Sequence, residues 1–312
     1  MTTVRAASAA LLLLGSGLGT VAPAPAPRTA PTIDGYTVLT ADFHVHASPG
    51  DGALTPARLR DQAGRYGIDV IAITNHNQLH AARLMRGSDR FGVDPIVILG
   101  AEVTNPNYHL IAVGISRPVN WDQPAARAVD DVHAQGGVAI AAHPTHDYAR
   151  GWDDEAVSRL DGVEAAHPAL GESVEVEREF AEFVERARTL KPGIASIGSS
   201  DFHVHDRIGR CRTYVLVRAR SASGVIEAVR AGRTVAEAAD GRLFGNPALV
   251  RVVAETRRSD YGGQPSAWTM ISSVCGWLGA AGLMLLRAGE PRRSGGPARP
   301  SVLYHTDAQP GG

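Results

Sequence analysis

Asp42-Phe43-His44-Val45-His46, followed five residues later by Asp51-Gly52, is the stretch on which the reading of the fold turns. The apolar run Val38 to Phe43 has strand length, and the polar pair comes where that run ends. Residues two apart on a strand point to the same side, so His44 and His46 can present both imidazoles to one ion. The pattern recurs along the chain. Thr74-Asn75-His76-Asn77, Gly100-Ala101-Glu102, His109, Ala142-His143-Pro144 and Ser200-Asp201-Phe202-His203 each sit where a strand is expected to end. Imidazole and carboxylate hold borderline-to-hard divalent ions, so the set predicts a multinuclear metal centre, whose natural use is hydrolysis.

The segments between these clusters set the fold class. Strand-length apolar runs are Val38 to Phe43, Val70 to Thr74, Ile96 to Val103, His109 to Ile115, Val138 to Ala142, Gly162 to Ala166, Ile194 to Gly198 and Thr213 to Val217. Helical spacing marks Pro56 to Tyr66 behind Thr55 as N-cap, and also Pro124 to Gln135, Glu172 to Arg188 and Ser221 to Ala231. Gly136-Gly137 and Gly232 mark helix ends. Strands alternating with helices predict an α/β protein, a parallel sheet wrapped by helices and closed into a barrel or a distorted relative of one. In such barrels reactive groups gather at the carboxyl ends of strands, where these clusters are expected to lie.

Composition narrows the function classes. The chain of 312 residues, 44% apolar, can bury a full core, and 31 basic against 32 acidic side chains imply no basic face and no stable nucleic-acid complex. The two ends differ from the middle. Residues 1–27 run from Arg5 through the apolar stretch Ala6 to Leu14 into a Pro/Ala spacer, which predicts a secretory signal or an N-terminal anchor. Residues 256–266 read as a linker. Trp268 to Leu286 is uncharged and about 28 Å long as a helix, so residues 267–286 are expected to span a membrane. Ser272, Gly276 and Ala280 would let two such helices approach and form a homodimer. Residues 287–312 then form a basic cytoplasmic tail, and the catalytic domain, residues 32–255, lies on the extracytoplasmic side of the cell membrane. Cys211 and Cys275, one in the domain and one in the expected span, are not expected to pair.

Taken together, the clusters at 42–52, 74–77, 100–102, 142–144 and 199–203 resemble the successive motifs of the PHP (polymerase and histidinol phosphatase) family, and the likeness extends from about Tyr36 to about Val235. Residues 226–233 resemble the branch that includes carbaryl-type hydrolases. The resemblance implies a distorted seven-stranded TIM-like barrel, (β/α)7, with two or three divalent ions, manganese, zinc or iron. By the same resemblance His44, His46, Glu102 and Asp201 surround the first ion, Asp51, His76 and His203 hold the second, and Glu102, His109 and His143 hold the third, Glu102 bridging. His109 fits the spacing that favours three ions. Asn75 departs from the pattern, which has Asp there; a carboxylate at that place is expected to orient a ligand.

These residues suggest hydrolysis of a phosphoester by a metal-bridging hydroxide. Asp201 or His203 handles the proton, with His143 as an acid for the leaving group. His146, His167, His205 and Arg207 lie just past expected strand ends and are candidates to touch substrate, Arg207 as an anion clamp. Glu164 ends another strand, where capping or a buried hydrogen bond explains it equally well. A cationic pocket supplied by Arg207, His205 or Arg212 would mark a phosphoesterase. An apolar pocket without Arg would mark a hydrolase of carboxylic esters, amides or carbamates, and loss of turnover would leave a metal-binding protein. The expected partners are a small phosphoester or ester substrate and membrane lipid around the C-terminal helix.

Overall fold

The strand-length runs become strands close to their expected bounds. In the computed structural model, which describes residues 2–18, 30–85, 95–204, 206–256 and 267–288, the first half holds α1 (Thr2–Leu18), β1 (Thr32–Ile33), β2 (Tyr36–Val45), α2 (Pro56–Arg65), β3 (Val70–Ile73), α3 (His80–Arg83), β4 (Ile96–Asn105), β5 (Tyr108–Val113), α4 (Ala125–Ala134) and β6 (Val138–Ala141). The second half holds α5 (His146–Ala149), α6 (Asp154–Arg159), β7 (Gly162–Ala166), α7 (Val174–Leu190), β8 (Ala195–Gly198), β9 (Arg212–Val217), α8 (Ala222–Arg230), β10 (Thr234–Glu237), β11 (Leu243–Gly245), α9 (Pro247–Thr256) and α10 (Ala267–Ala288). Ser173 and Ser221 cap α7 and α8 by accepting from Val176 N and Gly224 N. Thr55 stands at the N-cap of α2 without a side-chain bond, and Pro56 behind it leaves one fewer N–H to satisfy.

The described strands form one sheet in the order β11-β10-β9-β2-β3-β4-β5-β6-β7-β8, with β1 on β2. It curls until β8 meets β9, where Thr213 Oγ1 accepts from Gly198 N and donates to Gly198 O, both at 2.9 Å. A side chain does the work of a ladder there. A Cβ on Gly198 would collide with the Arg212 carbonyl, so the seam needs glycine.

This near-closed barrel is mixed, which corrects the expected all-parallel wrap. β2-β3, β3-β4, β6-β7 and β7-β8 are parallel, whereas β5 is antiparallel to both β4 and β6. Only Pro106 and Asn107 separate β4 from β5, a connection too short for a crossover helix. β9, β10 and β11 add an antiparallel flank. The reversal brings His109, at the start of β5, opposite Thr104 near the end of β4. His109 therefore reaches the carboxyl end of the neighbouring strands from the amino end of its own.

A bulge in β2 sets the direction of the opening histidines. Asp42 pairs with Ile71 and Val45 with Ile73, so two residues of β2 face one of β3. Before the bulge Leu39 and Ala41 join the interior core with Val70, Ala72, Ile98, Ile140 and Ile197; after it Val45 joins Ile71 and Ile73 in the layer under α2. The extra residue inverts the alternation and turns His44 and His46 inward.

The membrane span expected over 267–286 is not supported: no helix among the described residues is long and apolar enough to cross a membrane. α10 instead packs along α1, with Gly279 against the Ser8 carbonyl and Leu12 and Gly282 against the Ser8 side chain, while Gly276 approaches Ala53. Of the small residues expected to face a second copy, Gly276 thus meets the same chain. The Pro/Ala spacer, nearly all of the linker and nearly all of the basic tail lie outside the described residues.

Candidate metal centre

At the open end of the barrel the structure brings together His44, His46, Asp51, His76, Glu102, His109, His143, Asp201 and His203. Glu102, 1% exposed, lies at the middle. Its Oε2 is 3.3 Å from His44 Nε2, 3.5 Å from His46 Nε2 and 2.8 Å from His76 Nδ1. Its Oε1 is 2.7 Å from His109 Nδ1 and 3.2 Å from His143 Nε2. One carboxylate therefore presents its two oxygens to two different groups of imidazoles. Asp201 Oδ1 lies 3.1 Å from His44 Nε2 and 3.2 Å from His46 Nε2. Asp51 Oδ2 lies 3.1 Å from His46 Nδ1, 3.0 Å from His76 Nε2 and 3.5 Å from His203 Nε2.

Local backbone chemistry holds these groups in place. His143 and Asp201 have φ of 21° and 47°, a region that costs a non-glycine residue energy, and they stand in the loops just past β6 and β8. Asp42, beside the site in sequence, is a brace and no part of the cluster. It accepts from Ser200 Oγ at 2.5 Å, Ser200 N at 3.1 Å and Gly209 N at 2.8 Å, tying β2 to the loop that carries Asp201. Burial raises its carboxyl to about 6 against those hydrogen bonds.

The donor chemistry fits divalent cations. His44 Nε2, His46 Nε2, Asp51 Oδ2, Glu102 Oε2 and Asp201 Oδ1 are all buried without a hydrogen-bond partner, an arrangement that costs about 1–3 kcal/mol for each group in a protein interior. They converge at ligand-like separations in overlapping sets of three and four. Burial works against charge on His44, yet the Asp201, Glu102 and Glu164 carboxylates hold its imidazole well above its usual range. Burial likewise opposes the ionised Glu102 and Asp201 carboxyls, and the imidazoles keep both well below theirs. His76 is raised to about 10, with burial overcome by the Asp51 and Glu102 carboxylates beside it. The field at this centre is one that draws cations.

Glu164 is the residue whose importance the sequence understated. Fully buried on β7, it accepts from His143 N at 2.5 Å and lies 3.2 Å from His44 Nδ1, leaving His44 Nε2 to face the centre. A carboxylate behind a metal-facing histidine sets its ring orientation and raises its basicity. The signal was a lone acid inside the apolar run Gly162 to Ala166. Asn75 has a different part from the one expected. Its Nδ2 donates to Ala47 O at 2.6 Å and its Oδ1 accepts from Ala47 N at 3.0 Å, so it clamps the backbone just after His46 and touches no ligand. Aspartate could not make the first of these bonds.

The centre opens into a cleft of about 810 Å³ lined by His143, His146, Asp147, Tyr148, His167, Ala169, Glu172, Glu175, Val176, Glu179, Asp201 and His203, among others. His167 is buried beside Asp201, while His146 is exposed at the rim, its backbone N–H donating to Glu179. The cationic clamp is absent: no Arg or Lys among the described residues lines the cleft. Arg207 is exposed and lies outside it, and Arg212 is buried 3.7 Å from Glu237. His205 falls outside the described residues.

Comparison with known proteins bears on the fold. The PHP-associated family profile matches residues 185–234, which cover the end of α7, β8, the Asp201 loop, β9 and α8. The uncharacterized protein MJ1587 of Methanocaldococcus jannaschii is 26% identical over 139 residues, 40% of this chain and 80% of that protein. A crystal structure from Bacteroides vulgatus, described as a two-domain protein containing a predicted PHP-like metal-dependent phosphoesterase, is 23% identical, covers 77% of this chain and 78% of its own, and superposes with a TM-score of 0.56. The carbaryl-branch likeness rests on the sequence alone. What these comparisons establish is a mixed α/β, near-closed barrel shared with a PHP-like protein, together with a PHP-associated segment in its second half.

Proposed function

We propose that this protein is a metal-dependent hydrolase of phosphoesters. The observation that carries the proposal is the convergence of unpartnered, buried lone pairs from His44, His46, Asp51, Glu102 and Asp201 at the open end of a barrel. In this reading His44, His46, Glu102 and Asp201 hold one divalent ion, Asp51, His76 and His203 a second, and Glu102, His109 and His143 a third. Bound ions supply acidified water and neutralise charge on the phosphoryl oxygens. The phosphoester choice follows the motif resemblance, and the description of the Bacteroides protein points the same way.

The chain's own groups divide the remaining work. Asp201, kept ionised at the floor of the cleft, accepts a proton from the attacking water, with His203 beside it. His143 turns Nε2 to Glu102, so we assign it to holding an ion and not to protonating the leaving group. His167 Nδ1 accepts from Ala169 N at 3.1 Å, which leaves the proton on Nε2 as a donor to a phosphoryl oxygen. Water adds to phosphorus, the P–O bond to the alcohol breaks, and the alcohol departs with the proton that Asp201 took from the water.

The lack of Arg and Lys in the cleft favours one second reading, hydrolysis of an uncharged carboxylic ester or carbamate at the same centre. Matched aryl phosphodiester, phosphomonoester and carboxylic ester substrates, assayed with manganese and with Asp201→Ala as control, separate the two. Phosphoester cleavage lost in the variant supports the first, and preference for the carboxylic ester replaces it with the second. For location we propose export of the domain from the apolar run Ala6 to Leu14; protease accessibility in intact cells tests it.

A further inference from the structure

The outer wall of the cleft has a charge that the proposed chemistry does not use. Asp147 on α5, Glu172 before α7, and Glu175 and Glu179 on α7 line it, with Tyr148 and Val176 between them. Glu175 and Glu179 are one helical turn apart and so share a face. Acids near a helix N-terminus complement its dipole, Glu175 is also paired with Arg178, and Glu179 accepts from His146 N; that accounts for Glu175 and in part for Glu179, and not for Glu172 or Asp147. Glu172 and Asp147 are exposed, and Arg150 approaches Asp147 no closer than 3.9 Å.

A second observation points to a ligand. His167 is 8% exposed, lines the cleft, and has an Nε2 with no hydrogen-bond partner, the nearest acid being Asp201 Oδ2 at 3.5 Å. Phe180 of α7 stacks on its ring at 6.0 Å, fixing the acidic wall to the centre. Tyr148, 38% exposed, packs over His109 at 4.2 Å and presents an aromatic surface to the same space. The cleft thus has a hydrogen-bond donor aimed inward beside the ion-holding groups, and an aromatic ring among carboxylates further out. An anion is served by the first end and repelled by the second. An alkylammonium group is served by the second, through carboxylate attraction and cation–π contact.

We propose that the cleft selects phosphodiesters whose non-reacting alcohol carries an alkylammonium group, seated between Tyr148 and the carboxylates of Glu172, Glu175 and Glu179. The inference rests on the hydrolase reading for the reaction and on the wall alone for the selectivity. A substrate with further negative charge, such as a polynucleotide, is disfavoured by the same wall.

The test compares p-nitrophenyl phosphorylcholine with its carbon isostere, p-nitrophenyl 3,3-dimethylbutyl phosphate, on the manganese-loaded full chain. The two share the anionic phosphate and the leaving group and differ only in the cationic nitrogen. We expect kcat/KM to favour the choline diester by on the order of tenfold at low salt, and the ratio to fall towards one at high salt and in Glu172→Gln/Glu175→Gln/Glu179→Gln. A ratio of one in the wild type, or a ratio the triple variant leaves untouched, overturns the proposal. Glu172→Gln alone, a change at an exposed side chain, should lower the ratio in part and guards against misfolding of the triple variant. Calorimetric binding of phosphocholine against 3,3-dimethylbutyl phosphate provides the arm that does not need turnover. If neither diester is cleaved the hydrolase reading fails, and the binding ratio still decides the wall: preference for the cation supports it, equal affinity overturns it. Cleavage of phosphatidylcholine vesicles would identify a lipid headgroup as the source of the ligand, and cleavage of the soluble diester alone a free small molecule.

Discussion

Carboxylates are buried at both ends of this barrel, and the two ends treat them in opposite ways. At the amino ends of the strands, Asp161 before β7 accepts from His133 Nε2 at 2.7 Å and Ala139 N at 2.9 Å, with Lys191 Nζ at 3.7 Å. Asp69 before β3 accepts from Thr40 N at 2.9 Å and lies 3.6 Å from Arg220. The protein satisfies these acids itself. At the other end Asp51, Glu102 and Asp201 each leave a buried oxygen without a hydrogen bond. A fold that satisfies these acids at one end and leaves those three open at the other, where Asp42 and Glu164 are satisfied and only brace them, has one end built for its own stability and one for something brought in.

The largest expected effect separates the ends outright. Asp201→Ala or Glu102→Gln should cut metal-dependent turnover by about a thousandfold or more and lower the metal content measured by plasma mass spectrometry. Asp161→Asn should change neither; loss of metal in that variant would break the comparison. Chelation should lower the melting temperature of the wild type and re-addition restore it, by about 2.7 kcal/mol at a hundredfold excess over Kd, with a smaller response from Glu102→Gln.

Glu164→Gln sharpens the comparison from beneath the open end. It keeps the shape while removing the charge behind His44, and metal affinity should drop by roughly 10- to 100-fold with the circular dichroism spectrum unchanged. An affinity equal to wild type would make Glu164 a packing residue. Asn75→Asp, next in size, loses the donor to Ala47 O, so stability should fall by about 1–3 kcal/mol in urea titration while the metal content per folded molecule holds.

The smallest effect is at the closed end and depends on pH. Burial opposes ionisation of Asp161, but the hydrogen bonds from His133 and Ala139 and the charge of Lys191 hold its carboxyl below the ordinary 3.8. A depressed folded value means the stabilisation is present above the unfolded value and is lost as pH falls through the folded one. The melting-temperature gap between wild type and Asp161→Asn should therefore be widest near neutrality and narrow below about pH 4. A gap that widens in acid would reverse the assignment.

Several of these features were legible along the chain, for identifiable reasons. Continuous apolar runs of strand length exposed β2 to β9 because their inner and outer faces are both covered, and the acids and imidazoles stood out as polar interruptions at the ends of those runs. β10 and β11 went unread, being four and three residues long, too short for a period to register. α5, where Tyr148 sits, was hidden for the same reason at four residues. Arg207 shows the limit of arguing from position alone: it follows a strand end in sequence, yet the loop carries it outside the cleft.

The sequence by itself determined which side chains could hold an ion and which segments would be strands, because both depend on residue type and local spacing. The tertiary structure decided where those side chains point. The bulge after Asp42 turns His44 and His46 inward, the short hairpin at Pro106-Asn107 brings His109 to the end where the parallel strands finish, and the packing of β7 beside β6 puts Glu164 under His44 and His143. It also decided the charge of the cleft, by assembling a wall from α5, α7 and the loop between β7 and α7 and leaving the arginines outside. Apart from the hairpin, which is local, each of these depends on contacts between residues far apart in the chain, and a local pattern carries no record of them.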